Sequence, residues 1–166
     1  MRILHVEDDR TYLASVRQAL ADMEDIDLEQ VESLSAAQAR LADITAPSLD
    51  ALLVDLRLPD AREMEAVAAL RVYGLPLVVL SATSLPETLE RAAEAGADDY
   101  IVKGPIDSGQ IVRRIRFACR RYEKQNEAVA SAVSLAASSR APFRRAMGAA
   151  NFEALKPFIT CHSLGG

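Results

Sequence analysis

The sequence predicts an α/β fold in which a five-stranded parallel sheet is covered by helices on both faces. Five short apolar segments alternate with longer segments of helical periodicity, the order expected of repeated strand–helix units. Most of the short segments are continuous apolar runs, as expected for strands that are buried on both faces. A sheet with one solvent-facing side would instead show alternating apolar and polar residues.

The strands are predicted from the apolar runs and from the polar residues that end them. In chain order they are residues 2–6, 27–31, 51–54, 77–80 and 100–102. Polar residues directly follow four of these strands. Glu7 and Asp8 follow the first strand, Asp55 the third, Ser81 the fourth and Lys103 the fifth.

Helices are predicted between the strands from apolar residues at three- and four-residue spacing. Leu13, Val16 and Leu20 follow the first strand in this way, and the same spacing recurs after the third strand. That second set consists of Met64, Val67 and Leu70.

The remaining helices are predicted from their ends. Ser35 is the predicted N-cap of an Ala-rich helix that ends near Ala42. Residues 86–95 form the next helix, which Gly96 stops at the C′ position. A long helix begins at about Asp107.

Composition excludes several classes of protein. Half of the 166 residues are apolar, which is enough for one core, but no apolar run approaches the roughly 20 residues of a membrane span. The strand pattern begins at once and leaves no room for a signal peptide. Cys119 and Cys161 match no metal or redox spacing, so both are predicted to be free thiols in a reducing, cytoplasmic environment.

The charge is unevenly distributed along the chain. Residues 1–110 hold nine Lys/Arg and 21 Asp/Glu, a balance of −12, whereas residues 111–166 hold ten and three, a balance of +7. We therefore predict a domain over 1–122 and a helical extension or linker over 123–166. A single acidic domain whose last helix is basic is the alternative.

The polar residues at the strand ends predict the chemistry of the site. In a doubly wound sheet, ligands bind beyond the carboxyl ends of the strands. Glu7, Asp8 and Asp55 would converge there, and clustered carboxylates favour a bound cation such as Mg²⁺, which prefers oxygen ligands. Asp55 is suited to attack phosphorus, with Lys103 and Ser81 available to bind the transferred oxygens.

Each of these residues also has a plain structural interpretation. Acidic residues after a strand are often N-caps, and a lone Asp such as Asp55 is commonly a turn residue. Ser81 could cap a helix, and Lys103 by itself indicates nothing. The functional interpretation rests on all of them following successive strands in one order.

Four stretches of the chain resemble the receiver domains of two-component signalling, of the chemotaxis-regulator type. They are residues 3–9 (ILHVEDD), 52–60 (LLVDLRLPD), 78–83 (VVLSAT) and 95–103 (AGADDYIVK). The resemblance covers about residues 1–122. It implies a flavodoxin-like sheet of order 2-1-3-4-5 in a response regulator that is not an enzyme beyond its own phosphorylation and dephosphorylation.

The resemblance implies a phosphoacceptor and a metal site. Asp55 would accept a phosphoryl group from a sensor histidine kinase, a phosphotransfer protein or a small phosphodonor. Glu7 and Asp8 would form the acidic pair that binds Mg²⁺ (Mn²⁺ may substitute), with Asp8 the direct ligand and the backbone carbonyl of Arg57 completing the protein ligands.

The resemblance also implies a switch. Ser81 and Tyr100 would form the switch pair, Lys103 would bind the phosphoryl group, and the small Ala82 would leave the acceptor open to its donor. The sequence departs from the family at Gly104, where a proline is usual. A cis Lys–Gly bond would cost about 3 kcal/mol and is not expected.

The last predicted helix extends beyond the domain. Apolar residues at helical spacing, Ile111, Ile115, Ala118 and Tyr122, continue weakly from Val129 to Ala136. The seam is Ala-rich and interrupted by Gln125, so it predicts a weak homodimer. The alternative is a monomer in which Phe143, Phe152 and Phe158 fold back over the helix.

The opposite face of this helix is basic, with Arg113, Arg114, Arg116, Arg120 and Arg121. It is either a solvated face or a docking site for an acidic partner or an anionic ligand. The tail is too short for a winged-helix domain, so no direct DNA binding is expected, and no contact with a membrane.

Three competing functions are weighed against this one. A hydrolase of the haloacid dehalogenase type would place a second Asp two residues after Asp55, where Arg57 stands. A nucleotide-binding or oxidoreductase domain would need a glycine-rich turn where Glu7-Asp8-Asp9 stands. A receiver-like interaction module that is never phosphorylated would not need the complete set of polar residues.

Overall fold

The computed structural model describes residues 1–139 and the side chains as far as residue 134. Five strands lie in this part of the chain: β1 Arg2–Val6, β2 Asp27–Val31, β3 Ala51–Asp55, β4 Leu77–Ser81 and β5 Asp99–Val102. The helices alternate with them: α1 Arg10–Leu20, α2 Leu34–Ala42, α3 Glu63–Arg71, α4 Pro86–Glu94 and α5 Ser108–Ser139.

The sheet confirms the predicted fold class. All strands of the described chain are parallel, in the order β2-β1-β3-β4-β5. β1 therefore lies between β2 and β3, and the strand order reverses between β1 and β3. The carboxyl ends of all strands meet at one edge, and the crevice for a ligand in such a sheet lies at that reversal point.

The sheet divides the core into two layers. Because successive side chains of a strand point to opposite faces, Leu52 and Val54 of β3 pack with residues of α2, α3 and α4, whereas Leu53 packs with Ile111 and Ile115 of α5. β3 and β4 are buried along their whole length, as the continuous apolar runs predicted. Helices therefore cover both faces.

The predicted N-cap of α2 is wrong. Ser33 caps this helix, because its hydroxyl accepts a hydrogen bond from the N–H of Ala36 (3.1 Å). Ser35 lies inside the first turn instead. The carboxylate of Asp60 accepts from the N–H groups of Leu34 and Ser35, both at 2.9 Å, so a residue distant in sequence satisfies this helix end.

Two loop features agree with the sequence predictions. Gly96 follows α4 with φ of +106°, the left-handed conformation expected of a C′ glycine. A side chain there would also collide with Arg71, whose Cγ lies 2.9 Å from the position of an added Cβ. The peptide bond between Lys103 and Gly104 is trans, as are all peptide bonds of the described residues.

The chain divides into two units, Met1–Glu123 and Lys124–Gly166. Helix α5 continues to Ser139, which confirms the predicted helical extension. Val129 and Val133 on this extension are exposed, each with 63% of its surface accessible. The boundary at residue 122 and the role of 123–166 stay predictions. The described residues do not include Phe143, Phe152, Phe158 and Cys161. Among the described residues, no helix is both long and apolar enough to cross a membrane.

Candidate functional site

Three carboxylates meet at the carboxyl edge of the sheet. Val6 and Val54 are paired in the register of β1 and β3, so Glu7 and Asp55, each one residue further, are neighbours. Oxygen atoms of Glu7, Asp8 and Asp55 all lie within 4.8 Å of one another. Glu7 and Asp55 are buried, whereas Asp8 is exposed.

Lys103 reaches this cluster from the end of β5. Its Nζ lies 2.5 Å from Oε2 of Glu7 and 2.9 Å from Oδ2 of Asp55. The backbone N–H of Lys103 donates to the carbonyl of Ser81 (2.7 Å), which holds the loop against the end of β4. The structure thus brings together the strand ends that the sequence singled out.

The electrostatics of the cluster leave an excess of negative charge. Burial raises the pKa of Glu7, and the charge of Asp55 adds to this effect, against the opposing influence of Lys103. Burial disfavours the charged form of Lys103, but the carboxylates of Glu7 and Asp55 outweigh it and raise the pKa of this lysine. Lys103 therefore stays protonated, and its ammonium is the only cationic group in contact with any of the three carboxyl groups within the described residues. An all-oxygen donor set with uncompensated negative charge fits a hard divalent cation.

A buried histidine lies behind Glu7. Nδ1 of His5 accepts a hydrogen bond from Nε2 of Gln30 (3.2 Å), and the amide is oriented by Arg17, whose Nε donates to its Oε1 (2.8 Å). The proton of His5 therefore resides on Nε2, which lies 4.0 Å from Oε2 of Glu7. Burial lowers the pKa of His5 to about 3, with a further contribution from Lys103, so the ring is neutral.

An aromatic ring completes the surroundings of the lysine. Nζ of Lys103 lies over the ring of Tyr12, 4.6 Å from its centroid. Sequence reasoning missed both Tyr12 and His5. The available signals were a polar residue inside the first apolar run and an aromatic residue in the first turn of α1, close to the carboxyl edge.

Ser81 and Tyr100 are linked through a short stretch of backbone. Ser81 ends β4 and is buried, and its hydroxyl accepts from the N–H of Thr83 (3.3 Å). The hydroxyl of Tyr100, on β5, donates to the carbonyl of Thr83 (2.8 Å). The two side chains therefore share one connecting segment, residues 81–83.

Other acidic residues near the edge have structural roles. The carboxylate of Asp9 caps α1 by accepting from the N–H groups of Thr11 and Tyr12. Asp60 caps α2, as described above. Arg57 lies two residues beyond Asp55 and is exposed. The role of its carbonyl stays a prediction.

Comparison with known proteins places this site in a family. Residues 3–116 match the family model described as the response regulator receiver domain. The chain belongs to the response-regulator receiver family. The acidic pocket of Glu7, Asp8 and Asp55 is accordingly of the kind that serves as the phosphoaspartate and Mg²⁺ site of receiver domains.

The receiver domain is similar in sequence to curated response regulators. It is 34% identical over 121 residues to the KDP operon transcriptional regulatory protein KdpE of Escherichia coli (strain K12), an alignment covering 72% of this chain and 52% of KdpE. It is 33% identical over 136 residues to the response regulator MprA of Mycobacterium leprae, covering 81% and 58%. The chain thus spans about half the length of the curated relatives it matches.

Solved structures of receiver domains and response regulators share this fold. A CheY-like receiver domain protein from Methanospirillum hungatei JF-1 superposes with a TM-score of 0.63 at 26% identity, covering 75% of this chain and 97% of that one. A response regulator from Burkholderia pseudomallei, with a phosphorylated aspartic acid and a calcium ion, shares the fold with a TM-score of 0.61 at 18% identity, covering 75% and 72%. A receiver domain is not a conventional enzyme, so the family match removes the hydrolase and oxidoreductase interpretations of residues 3–116.

Proposed function

We propose that this receiver accepts a phosphoryl group on Asp55 in a Mg²⁺-dependent reaction and thereby switches the face around Ser81 and Tyr100. One observation carries the proposal. The Asp55 carboxylate lies at the end of the central strand, 4% exposed, with the Lys103 ammonium 2.9 Å away and two further carboxylates within 4.8 Å. A nucleophilic carboxylate with a cation and a metal-binding pair beside it is what phosphoryl transfer requires.

Glu7, Asp8 and Asp55 would hold the metal, with the Arg57 carbonyl as a further ligand. Bound Mg²⁺, for which Mn²⁺ can substitute, neutralises charge that would otherwise repel an incoming phosphoryl group. The site is open on the side of the exposed Asp8, so it suits a cation that keeps several waters.

The reaction is a substitution at phosphorus. An oxygen of Asp55 attacks, the bond from phosphorus to the donor breaks, and an acyl phosphate forms while the donor leaves with the bonding electron pair. Lys103 binds one transferred oxygen and the Ser81 hydroxyl donates to another, while the small Ala82 leaves room for the donor. Hydrolysis later restores the carboxylate.

Mass spectrometry tests the acceptor. With acetyl phosphate and Mg²⁺, the wild-type protein should gain one phosphoryl group, and Asp55→Asn, which keeps the shape but loses the nucleophile, should gain none. Asp9→Asn is the matched control. Asparagine caps a helix about as well as aspartate, so this variant should fold and still be phosphorylated. A label found on Asp9 or Asp60 of the native protein would contradict the assignment.

The switch follows from the shared segment 81–83. A phosphoryl oxygen on Asp55 would accept a hydrogen bond from the Ser81 hydroxyl. The hydroxyl would move towards it, weaken the bond that it accepts from the N–H of Thr83, and so shift the Thr83 carbonyl that Tyr100 binds. Differential contacts of this kind are typically worth about 1–3 kcal/mol.

Beryllofluoride, a phosphoryl mimic, tests the switch. Amide shifts in the wild-type protein should concentrate in α4, β5 and α5, and Asp55→Asn should give none. Shifts confined to residues 10–45 would contradict the proposed route.

The source of the phosphoryl group is a histidine kinase or a phosphotransfer protein, as membership in a two-component family implies. We place the protein in the cytoplasm, and we expect neither direct DNA binding nor membrane contact from this chain. A receiver-like module that is never phosphorylated is the alternative. Failure of Asp55 to accept a phosphoryl group would favour that module.

We further propose a weak homodimer through the extension of α5. Its exposed valines, Val129 and Val133, are one turn apart and form an apolar strip, which Gln125 separates from the seam that ends at Tyr122. Residues 1–124 should then be monomeric by light scattering where the full chain is dimeric. If the chain instead folds back over the strip, truncation should lower the melting temperature of a monomer. An unchanged mass and melting temperature would contradict both.

A further inference from the structure

The position of the Lys103 side chain needs an explanation beyond its own loop. Its backbone makes the last bond of the sheet, to Ser81, and the next residue is Gly104. Apart from its two chain neighbours, no residue of the described chain has a heavy atom within 4 Å of the position of a Cβ on Gly104, so no described side chain packs against the loop at that point. A lysine has a long flexible stem, and its head group must therefore be held by its contacts.

Within residues 1–134, three groups contact the Lys103 ammonium: the carboxylates of Glu7 and Asp55, and the ring of Tyr12. The first two take part in the proposed chemistry, because Glu7 would turn to the metal and Asp55 would carry the phosphoryl group. The Tyr12 ring is the contact that does not change in the reaction.

The Tyr12 ring is itself held by rigid elements. Its residue lies in the first turn of α1, where its backbone N–H donates to the capping carboxylate of Asp9 (3.2 Å). The ring packs edge-to-face against the buried His5 of β1, with centroids 6.4 Å apart and an interplanar angle of 68°. Since the Lys103 side chain is only 16% exposed, the cation–π contact is partly desolvated, which strengthens it.

We infer that Tyr12 is a positioning residue whose ring face holds the Lys103 ammonium beside Asp55 before and after phosphorylation. The inference rests on the proposed function of Asp55 and adds to it a residue that acts through the lysine. The ring, rather than the hydroxyl, performs this role. Tyr12→Phe therefore preserves the contact and Tyr12→Leu removes it.

The contact can be tested without metal or phosphodonor. The chain has three lysines, Lys103, Lys124 and Lys156, so isotopic labelling of lysine gives a simple NMR spectrum. The Cε protons of Lys103 should be shifted upfield by the ring current in the wild type and in Tyr12→Phe. In Tyr12→Leu they should move towards the values of the other two lysines.

The functional role is tested by the rate of Asp55 phosphorylation by acetyl phosphate. We expect Tyr12→Leu to slow it about 3- to 30-fold, the range that corresponds to the strength of a partly desolvated cation–π contact, and Tyr12→Phe to stay within about twofold of the wild type. Tyr12→Met is a second ring-free variant with good helix propensity, for use if Leu impairs folding. Melting curves of all variants serve as the folding control.

The possible results distinguish the Lys103–Tyr12 contact, the positioning role of Tyr12 and the proposed function of Asp55. A Lys103 signal without an upfield shift in the wild type would overturn the contact, and a wild-type rate in Tyr12→Leu would overturn the role. Equal slowing of the Phe and Leu variants would assign the effect to the hydroxyl and also overturn the inference. A wild-type protein that takes no phosphoryl group would contradict the proposed function and the positioning role together, while the NMR shift would still establish the contact.

Discussion

Carboxylates with little accessible surface occur at both edges of the sheet, but their partners differ. At the amino edge, Asp98 accepts from the side chain of Arg71 (2.9 Å) and from the backbone N–H of Leu77 (2.8 Å). At the carboxyl edge, Asp55 pairs within the described chain with Lys103 alone, and Lys103 is shared with Glu7.

The difference separates a structural carboxylate from a reactive one. The Asp98 carboxylate has an arginine of its own and a backbone N–H donor, so its charge is compensated and it stabilises the fold. At the carboxyl edge, one ammonium serves several carboxylates. That arrangement costs stability, but it leaves oxygen atoms available to a metal and to phosphorus.

The largest effect is expected at the carboxyl edge. Asp8→Asn should weaken Mg²⁺ binding and abolish phosphorylation of Asp55. The variant should still fold, because it removes one of the clustered charges, and without metal it should melt at the same temperature as the wild type or higher. Asp50→Asn is the control at the amino edge. The Asp50 side chain accepts from the N–H of Arg2, and asparagine can still do so. Phosphorylation of Asp8→Asn at the wild-type rate would show that the metal role is assigned to the wrong residue.

The second effect is expected at the amino edge and concerns stability. Asp98→Ala leaves the N–H of Leu77 and the side chain of Arg71 without their acceptor, so the free energy of unfolding in urea should fall by about 2–3 kcal/mol. Asp98→Asn, which can still accept one hydrogen bond, should lose less. Both variants should phosphorylate normally well below their melting temperature. If the Asp98 variants lost phosphorylation with unchanged stability, Asp98 would not be the structural carboxylate that separates the amino edge from the reactive carboxyl edge.

The third effect concerns pH and arises from His5 at the carboxyl edge. Its pKa is lowered to about 3 in the fold from 6.5, so below pH 6.5 the unfolded chain binds a proton that the folded protein refuses. Stability should therefore fall as the pH drops through that window, by about 2 kcal/mol between pH 7 and pH 5.

Urea unfolding with a chelator present measures this effect, and His5→Leu is the comparison because it cannot titrate. The difference in stability between the two proteins should change by that amount over the interval. A difference independent of pH would mean that the pKa of His5 does not change on folding, and that burial does not hold the ring neutral.

The sequence alone determined the order of elements and the edge at which the polar residues meet. Apolar runs mark strands that must be buried, and parallel strands bring their carboxyl ends together, so the sequence places Asp55, Ser81 and Lys103 near one another. Gly96 was also predictable, because only a residue without Cβ adopts its backbone conformation easily at a helix end.

Tertiary structure decided which of these neighbours touch. Lys103 contacts Glu7 as well as Asp55, and not Asp8. It also contacts the ring of Tyr12, which is 91 residues away in sequence. Likewise, Asp60 binds the first turn of α2, 25 and 26 residues away, where local sequence pointed to Ser35 as the cap. Local propensity acts over about one helical turn, whereas contacts between distant residues depend on how helices pack on the sheet, and that packing is settled only when the whole core forms.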